Sequence, residues 1–141
     1  MAAYTTRRRV EFRDTDAAGI VHFSAFFFWM ESAEHEMLRT IDVAVFDPTG
    51  GSDRASWPRV SVACDYMVAL RYGDEVDIDV SVDAIGRSSV TYGFLFRRDG
   101  VDIARGRVVA VHCLMHAGRK PEAVPMPADV AERLGRFAVE S

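Results

Sequence analysis

The sequence predicts an α+β domain in which an antiparallel five-stranded sheet wraps around one long central helix, with a short helix near the C-terminus. Three observations carry this. From Ser24 to Ile41 apolar residues recur at helical spacing, and the first two turns are apolar almost all round, so this helix has to be enclosed. Later segments alternate apolar and polar residues with the period of two that marks a half-buried strand. Asp99-Gly100 is a two-residue hairpin signal, which makes consecutive strands antiparallel neighbours. One apolar helix and a sheet bury each other most simply when the sheet curls around the helix.

Taken in order, residues 5–13 form the first expected strand, with Val10 and Phe12 inward and Arg9 and Glu11 outward. Ser24 is the expected N-cap of the central helix, and Arg39 sits near its C-terminal end, where a cation suits the dipole. Phe26, Met30, Ala33, Met37 and Ile41 make the buried stripe, widened by Phe27 and Leu38. Residues 47–56, with Pro48, Gly50, Gly51 and Ser52, read as a loop. Strand two, 58–68, puts Val60, Val62, Cys64, Tyr66 and Val68 on one face. Strand three, 75–84, alternates most cleanly, with Val76, Ile78, Val80, Val82 and Ala84 opposite a largely acidic face. Val90, Tyr92, Phe94 and Phe96 mark strand four, and 101–116 is a long fifth strand with Gly106 as its expected bulge. Val130, Leu134 and Phe137 give the final helix, starting near Pro127.

The chain has 141 residues, 49% hydrophobic and 27% charged, which suits one domain spanning 1–141 around a single core. A formal net charge of -4 argues against a general nucleic-acid binder. Arg7, Arg8 and Arg9 are followed by Val10-Glu11-Phe12-Arg13-Asp14 rather than by the apolar run of a signal peptide. The longest apolar run, Ala25 to Met30, is far short of the roughly twenty residues a membrane helix needs. A soluble, cytoplasmic protein without a membrane partner is expected. Cys64 and Cys113 stand in apolar strand-like runs, as packed, reduced thiols do.

The densest chemistry lies between strand one and the helix, in Asp14-Thr15-Asp16-Ala17-Ala18-Gly19-Ile20-Val21-His22-Phe23. The first amides of a helix lack intrahelical acceptors and carry partial positive charge, so this junction can polarise a carbonyl. Asp16 beside it can attack that carbonyl or activate water. The plainer alternative is an Asx turn in which Gly19 permits a tight bend.

Asp14-Thr15-Asp16-Ala17-Ala18-Gly19-Ile20-Val21, followed by an aromatic-rich helix with Trp29-Met30-Glu31-Ser32-Ala33, resembles the hotdog-fold acyl-CoA thioesterases of the 4-hydroxybenzoyl-CoA thioesterase type, from residue 7 to about 116. The resemblance implies hydrolysis of an acyl-CoA thioester to a free acid and coenzyme A. It makes Asp16 the catalytic carboxylate, as nucleophile through a mixed anhydride or as general base, and the Phe23 backbone N–H the oxyanion donor. It places Gly19, His22, Phe26, Phe27, Trp57 and Arg59 around the acyl group, with Trp57-Pro58-Arg59 similar to a segment contributed by a neighbouring subunit. Gly86-Arg87-Ser88-Ser89-Val90 resembles the region that contacts coenzyme A, with Arg87 toward phosphate and Ser88 and Ser89 as neutral donors. Arg119 and Lys120 are further basic candidates. The departures are His22-Phe23, where many relatives have an aromatic followed by His or Tyr, and Ala25, where many have Asn.

A second group of hotdog thioesterases carries its carboxylate on the central helix, which makes Glu34 the rival of Asp16; its place in the apolar sector requires a partner, a proton or an opening. No cofactor is expected, coenzyme A entering only with the substrate. No metal is expected either, because His112 and His116, four apart on a strand, lie ~13 Å from one another. Uncovered sheet edges predict a homodimer or homotetramer. The alternatives are a non-hydrolytic acyl-CoA or acyl-carrier binding module and, more distantly, a hotdog hydratase.

Overall fold

The computed structural model of the chain describes residues 3–46 and 54–139. Strand β1 (Tyr4–Arg9) leads through a 3-10 turn (Phe12–Asp14) into helix α1 (Phe23–Thr40). Strands β2 (Arg54–Ser56), β3 (Arg59–Tyr66), β4 (Glu75–Ile85), β5 (Ser89–Arg98), β6 (Val101–Val111), β7 (Cys113–Met115) and β8 (Glu122–Ala123) follow. Helix α2 (Ala128–Leu134) and a 3-10 turn (Gly135–Phe137) come last. Five strands form an antiparallel sheet in the order β1-β4-β5-β6-β3, and β2, β7 and β8 form a small second sheet.

Helix α1 buries Phe26, Met30, Ala33, Met37 and Leu38 against the sheet. The alternating faces of β4 and β5 answer it with Val76, Ile78, Val80, Tyr92, Phe94 and Phe96. Each such side chain contributes about 1.5–3 kcal/mol by leaving water. On the outer face, register sets the basic residues of β1 against the acidic ones of β4. Arg7 pairs with Asp77 at 2.8 Å and Arg9 with Glu75 at 3.3 Å. Exposed pairs of this kind contribute about 0.2–1 kcal/mol and serve mainly to match the two strands.

Several expected boundaries move. Strand one ends at Arg9, and Phe12 is 81% exposed, because Glu11 and Asp14 close a capping box that turns the chain into the 3-10 helix. The N-cap of α1 is His22, not Ser24. Gly106 is no bulge: the register shifts lie at Arg59/Ser61, Val82/Ala84 and Phe96/Arg97. A Cβ at Gly106 would instead collide with the Met30 sulfur, so this glycine lets the sheet approach the helix. The long fifth strand breaks at His112, beyond which the chain joins the second sheet as β7.

Strand β3 lies at the sheet edge, where Val60 and Val62 are exposed despite their alternation. The expected loop 47–56 falls largely outside the described residues, and its last part is β2. Both cysteines are free, Cys113 buried and Cys64 half-buried. No described helix is long and apolar enough to cross a membrane.

Candidate active site

The stretch between β1 and α1 folds into a small closed loop. Thr15 and Val21 pair as an isolated antiparallel bridge, and the His22 amide donates to the Asp14 carbonyl at 2.8 Å. Inside the loop the Asp16 amide donates to Ile20 O, and the Gly19 amide to Asp16 O, each at 2.9 Å. Gly19 adopts φ +81°, a left-handed conformation that glycine takes without Cβ strain. The Asp16 carboxylate accepts the Ala18 amide on Oδ1 at 2.8 Å, an Asx turn. Its Oδ2 has no hydrogen-bond partner among the described residues. Asp14, by contrast, is occupied: its Oδ2 accepts the Glu11 amide at 2.8 Å.

His22 caps the helix. Its Nδ1 accepts the Ser24 amide at 3.2 Å and lies 2.7 Å from the Ser24 hydroxyl, while its ring stacks on Phe23. Its carbonyl accepts the Ala25 amide at 3.0 Å. The amide of Phe23, first in the helix, is left without an acceptor among the described residues. From across the fold Tyr66 donates its hydroxyl to the Phe23 carbonyl at 3.0 Å and packs edge-on against Phe26. Burial, with Cys64 beside it, pushes the Tyr66 phenol up to about 12, so it remains a donor. Alternation in the sequence makes Tyr66 only a face residue of a strand, because a bond to a carbonyl 43 residues away has no local signal.

Two cavities lie against α1, one at its start and one along its middle. The larger, about 940 Å³, opens between β1 and α1 and reaches Thr15, His22, Ser24, Phe28 and Trp29. Asp16 is half-exposed and is not among the residues lining it. The smaller, about 300 Å³, lies between α1, β3 and β6 and takes in Phe27, Glu34 and Arg59. Glu34 is only 1% exposed, and Arg59 Nη2 donates to its Oε2 at 2.8 Å. The same nitrogen approaches His35 Nε2 at 3.5 Å, and burial holds the His35 imidazole below its ordinary value. Burial also raises the Glu34 carboxyl to about 7, against the opposing pull of Arg59. Glu34 Oε1 and Arg59 Nη1 are both buried without a hydrogen-bond partner among the described residues. Such groups cost about 1–3 kcal/mol each, and more when charged.

The other expected site residues divide. Phe27 and Arg59 share the smaller cavity. Phe26 is a core aromatic, edge-on to Trp29 and Phe96, and lines neither cavity. Trp57 is buried against the His112 ring. Arg87, Ser88 and Ser89 sit at the β4–β5 turn, where Ser89 O closes the turn on the Gly86 amide and the carbonyls of Arg87 and Ser88 hold Met126 and His112. The junction follows Arg9, which pairs with Glu75 at the start of β4, whereas this turn lies beyond Ile85 at its far end. An 11-residue strand is ~35 Å long, so one chain does not bring the two together. Arg119 is in an exposed turn with Lys120 beside it. Among the described residues no cluster of His, Cys, Asp and Glu could hold a metal.

A five-stranded antiparallel sheet packed on one long helix, with a polar loop delivering the chain to that helix's free amide, is the architecture of the hotdog thioesterase-like proteins. The family model of the thioesterase-like superfamily matches residues 10–134, and the chain belongs to that family. A 1,4-dihydroxy-2-naphthoyl-CoA hydrolase of Prochlorococcus marinus (strain NATL2A) is 32% identical over 103 residues, covering 69% of this chain and 66% of its own. A gentisyl-coenzyme A thioesterase of known structure is 27% identical, with a TM-score of 0.78, covering 93% of this chain and 99% of that one. A 1,4-dihydroxy-2-naphthoyl-CoA thioesterase from Synechocystis superposes with a TM-score of 0.83 over 94% of this chain and 95% of its own, at 18% identity, a likeness of fold.

Proposed function

We propose that this thioester hydrolase cleaves an acyl-CoA to a free carboxylic acid and coenzyme A, using Asp16 and the amide of Phe23. The observation that carries the reading is that, among the described residues, a carboxylate oxygen without a partner stands on the closed loop between Thr15 and Val21, and a helix-terminal amide without an acceptor follows two residues after that loop. The thioester oxygen accepts the Phe23 N–H, and as negative charge develops there the first-turn dipole favours it; one such donor is typically worth about 2.7–4 kcal/mol. Asp16 Oδ2 attacks the carbonyl carbon, the C–S bond breaks to release the coenzyme A thiolate and leave a mixed anhydride, and water then opens the anhydride to the acid; or Asp16 takes a proton from the water that attacks, and breaking of the C–S bond gives the thiolate and the acid together. Names of the relatives support a thioester of coenzyme A with an aromatic acid.

A second copy of the chain completes this reading. The outer edge of β3, with Val60, Val62 and Tyr66 exposed, offers an unpaired strand for self-association. Arg87, Ser88 and Ser89, too far away within one chain, would then contact coenzyme A from the partner.

The test is Asp16→Asn, which keeps the Asx turn and removes the charge. Thiol release from acyl-CoA is expected to fall by about 10²–10⁴ with the fold intact. Turnover like that of the wild type would reject the role of Asp16. Binding of acyl-CoA with no thiol release from any member of a broad panel would instead make the chain a binding module.

A further inference from the structure

The smaller cavity contains an unmet demand for hydrogen bonds. Phe27, Phe28, Val62 and Val108 form its apolar walls, Glu34 and Arg59 form its buried polar end, and the exposed Glu31 stands on the same helix face. The ion pair uses only half of each group. Glu34 Oε2 takes the proton of Arg59 Nη2 at 2.8 Å, while Glu34 Oε1 and Arg59 Nη1 are shielded from solvent and unpaired. Tyr92, itself buried, interacts with both groups electrostatically, and no described protein group supplies the missing bonds. Buried polar atoms are satisfied in the great majority of native structures, so two adjacent exceptions at the end of one cavity point to a ligand.

We propose that the cavity between α1, β3 and β6 is a binding subsite for one hydroxyl group carried on an otherwise apolar ligand, with Glu34 and Arg59 as its specificity-determining residues. A guanidinium nitrogen only donates, and a carboxylate oxygen only accepts. A single group that serves both must accept from Arg59 Nη1 while donating to Glu34 Oε1, which a hydroxyl does and a methyl ether or bare hydrocarbon does not. The volume, about 300 Å³, is at the small end of ligand pockets and suits a ring or the end of a chain. Two sources supply this chemistry: the acyl group of the thioester, in which case the proposal rests on the acyl-CoA reading above, or a free hydroxylated aromatic compound, in which case it does not. Glu34 stands eleven residues beyond Phe23, ~16 Å along the helix axis, so a thioester at that chain's own Phe23 amide reaches it only with a long acyl group. A compact ring reaches it from the Phe23 of a second copy.

The experiment has two arms on the full chain. In the first, kcat/KM is measured for 4-hydroxybenzoyl-CoA against benzoyl-CoA and for 10-hydroxydecanoyl-CoA against decanoyl-CoA. In the second, binding of phenol and of anisole is titrated by ligand-observed NMR. Each is repeated with Glu34→Gln and Arg59→Met, whose folding is checked by circular dichroism; the paired ligands keep the test valid on the wild type alone. A preference of about tenfold or more for the hydroxylated member of either thioester pair, collapsing in Glu34→Gln, supports the subsite with the acyl group as its ligand. Phenol binding at least about tenfold tighter than anisole, lost in the variants without such a thioester preference, supports it with a free hydroxylated ring. Equal treatment of hydroxylated and plain ligands in both arms overturns it, including the case in which a second copy of the chain fills the cavity. If no thioester is cleaved at all, the phenol arm still decides the subsite, so failure of the activity and failure of this inference are separable.

Discussion

Glu34→Gln removes a titration that native packing has displaced, and the displacement sets the size and direction of its effect. Burial at 1% exposure raises the Glu34 carboxyl from 4.5 to about 7, although Arg59 opposes this. The unfolded chain gives up this proton near its ordinary value and the folded chain holds it until about 7, so between the two the native state binds more protons. Stability therefore falls as pH rises through that window, the reverse of a salt-bridged carboxylate with a depressed value. At roughly 1.4 kcal/mol per pH unit the full displacement corresponds to about 3 kcal/mol, complete above about pH 7 and absent below about pH 4.5. Glutamine does not titrate, and the partner that Arg59 loses contributes an offset independent of pH. Urea unfolding of both proteins at one protein concentration, from about pH 4.5 to about pH 8, measures the difference directly. The gap should move toward the variant by about 3 kcal/mol across the window. A gap that stays constant would show that Glu34 ionises freely in the fold, and the reasoning from its burial would be wrong.

Other substitutions probe the frame around the site. Gly106→Ala forces a Cβ onto the Met30 sulfur and is expected to destabilise by about 1–3 kcal/mol in thermal or urea unfolding; a neutral effect would show that helix and sheet separate easily. Met37→Ala, at a fully buried position, should destabilise by about 2–5 kcal/mol in the same assay, and a loss below this range would place Met37 at the edge of the core. His22→Ala removes the side-chain acceptor of the Ser24 amide and should cost about 1 kcal/mol, an effect that vanishes if the cap forms from backbone alone. Tyr66→Phe deletes the donor to the Phe23 carbonyl; about 0.5–1.5 kcal/mol of stability should go with it, and an unchanged unfolding curve would mean that the hydroxyl is satisfied equally by water.

Val60 and Val62 alternate as cleanly as Val76 and Ile78, yet the first pair is exposed and the second fully buried. Alternation reports that one face of a strand is apolar, and only the position of the strand in the sheet decides what covers that face: β4 lies inside, β3 at the edge. Gly106 looked like a bulge because glycine in a strand has two common causes, and the second, close approach of another element, depends on a helix far away in sequence. Likewise Ser24 is an ordinary capping residue, but the chain enters the helix at His22, whose amide is already bound to Asp14. At the site, Asp16, Gly19 and His22 were legible because they are neighbours in one loop. The pairing of Glu34 with Arg59 was not, because no local rule relates residues 25 positions apart.

Periodicity and turn punctuation alone were enough to place one enclosed helix, the antiparallel strands around it, the hairpin at Asp99-Gly100 and the polar loop that precedes the helix, since each is governed by interactions within a few residues. What required the folded chain was everything that depends on distant segments meeting: which strand became the edge, why a glycine faces Met30, the separation of Arg87 from Asp16, and the cavity where a carboxylate and a guanidinium each keep one atom unpaired among the described residues. Local rules act through the backbone of a short segment, whereas burial and pairing are set by the sum of contacts across the whole core.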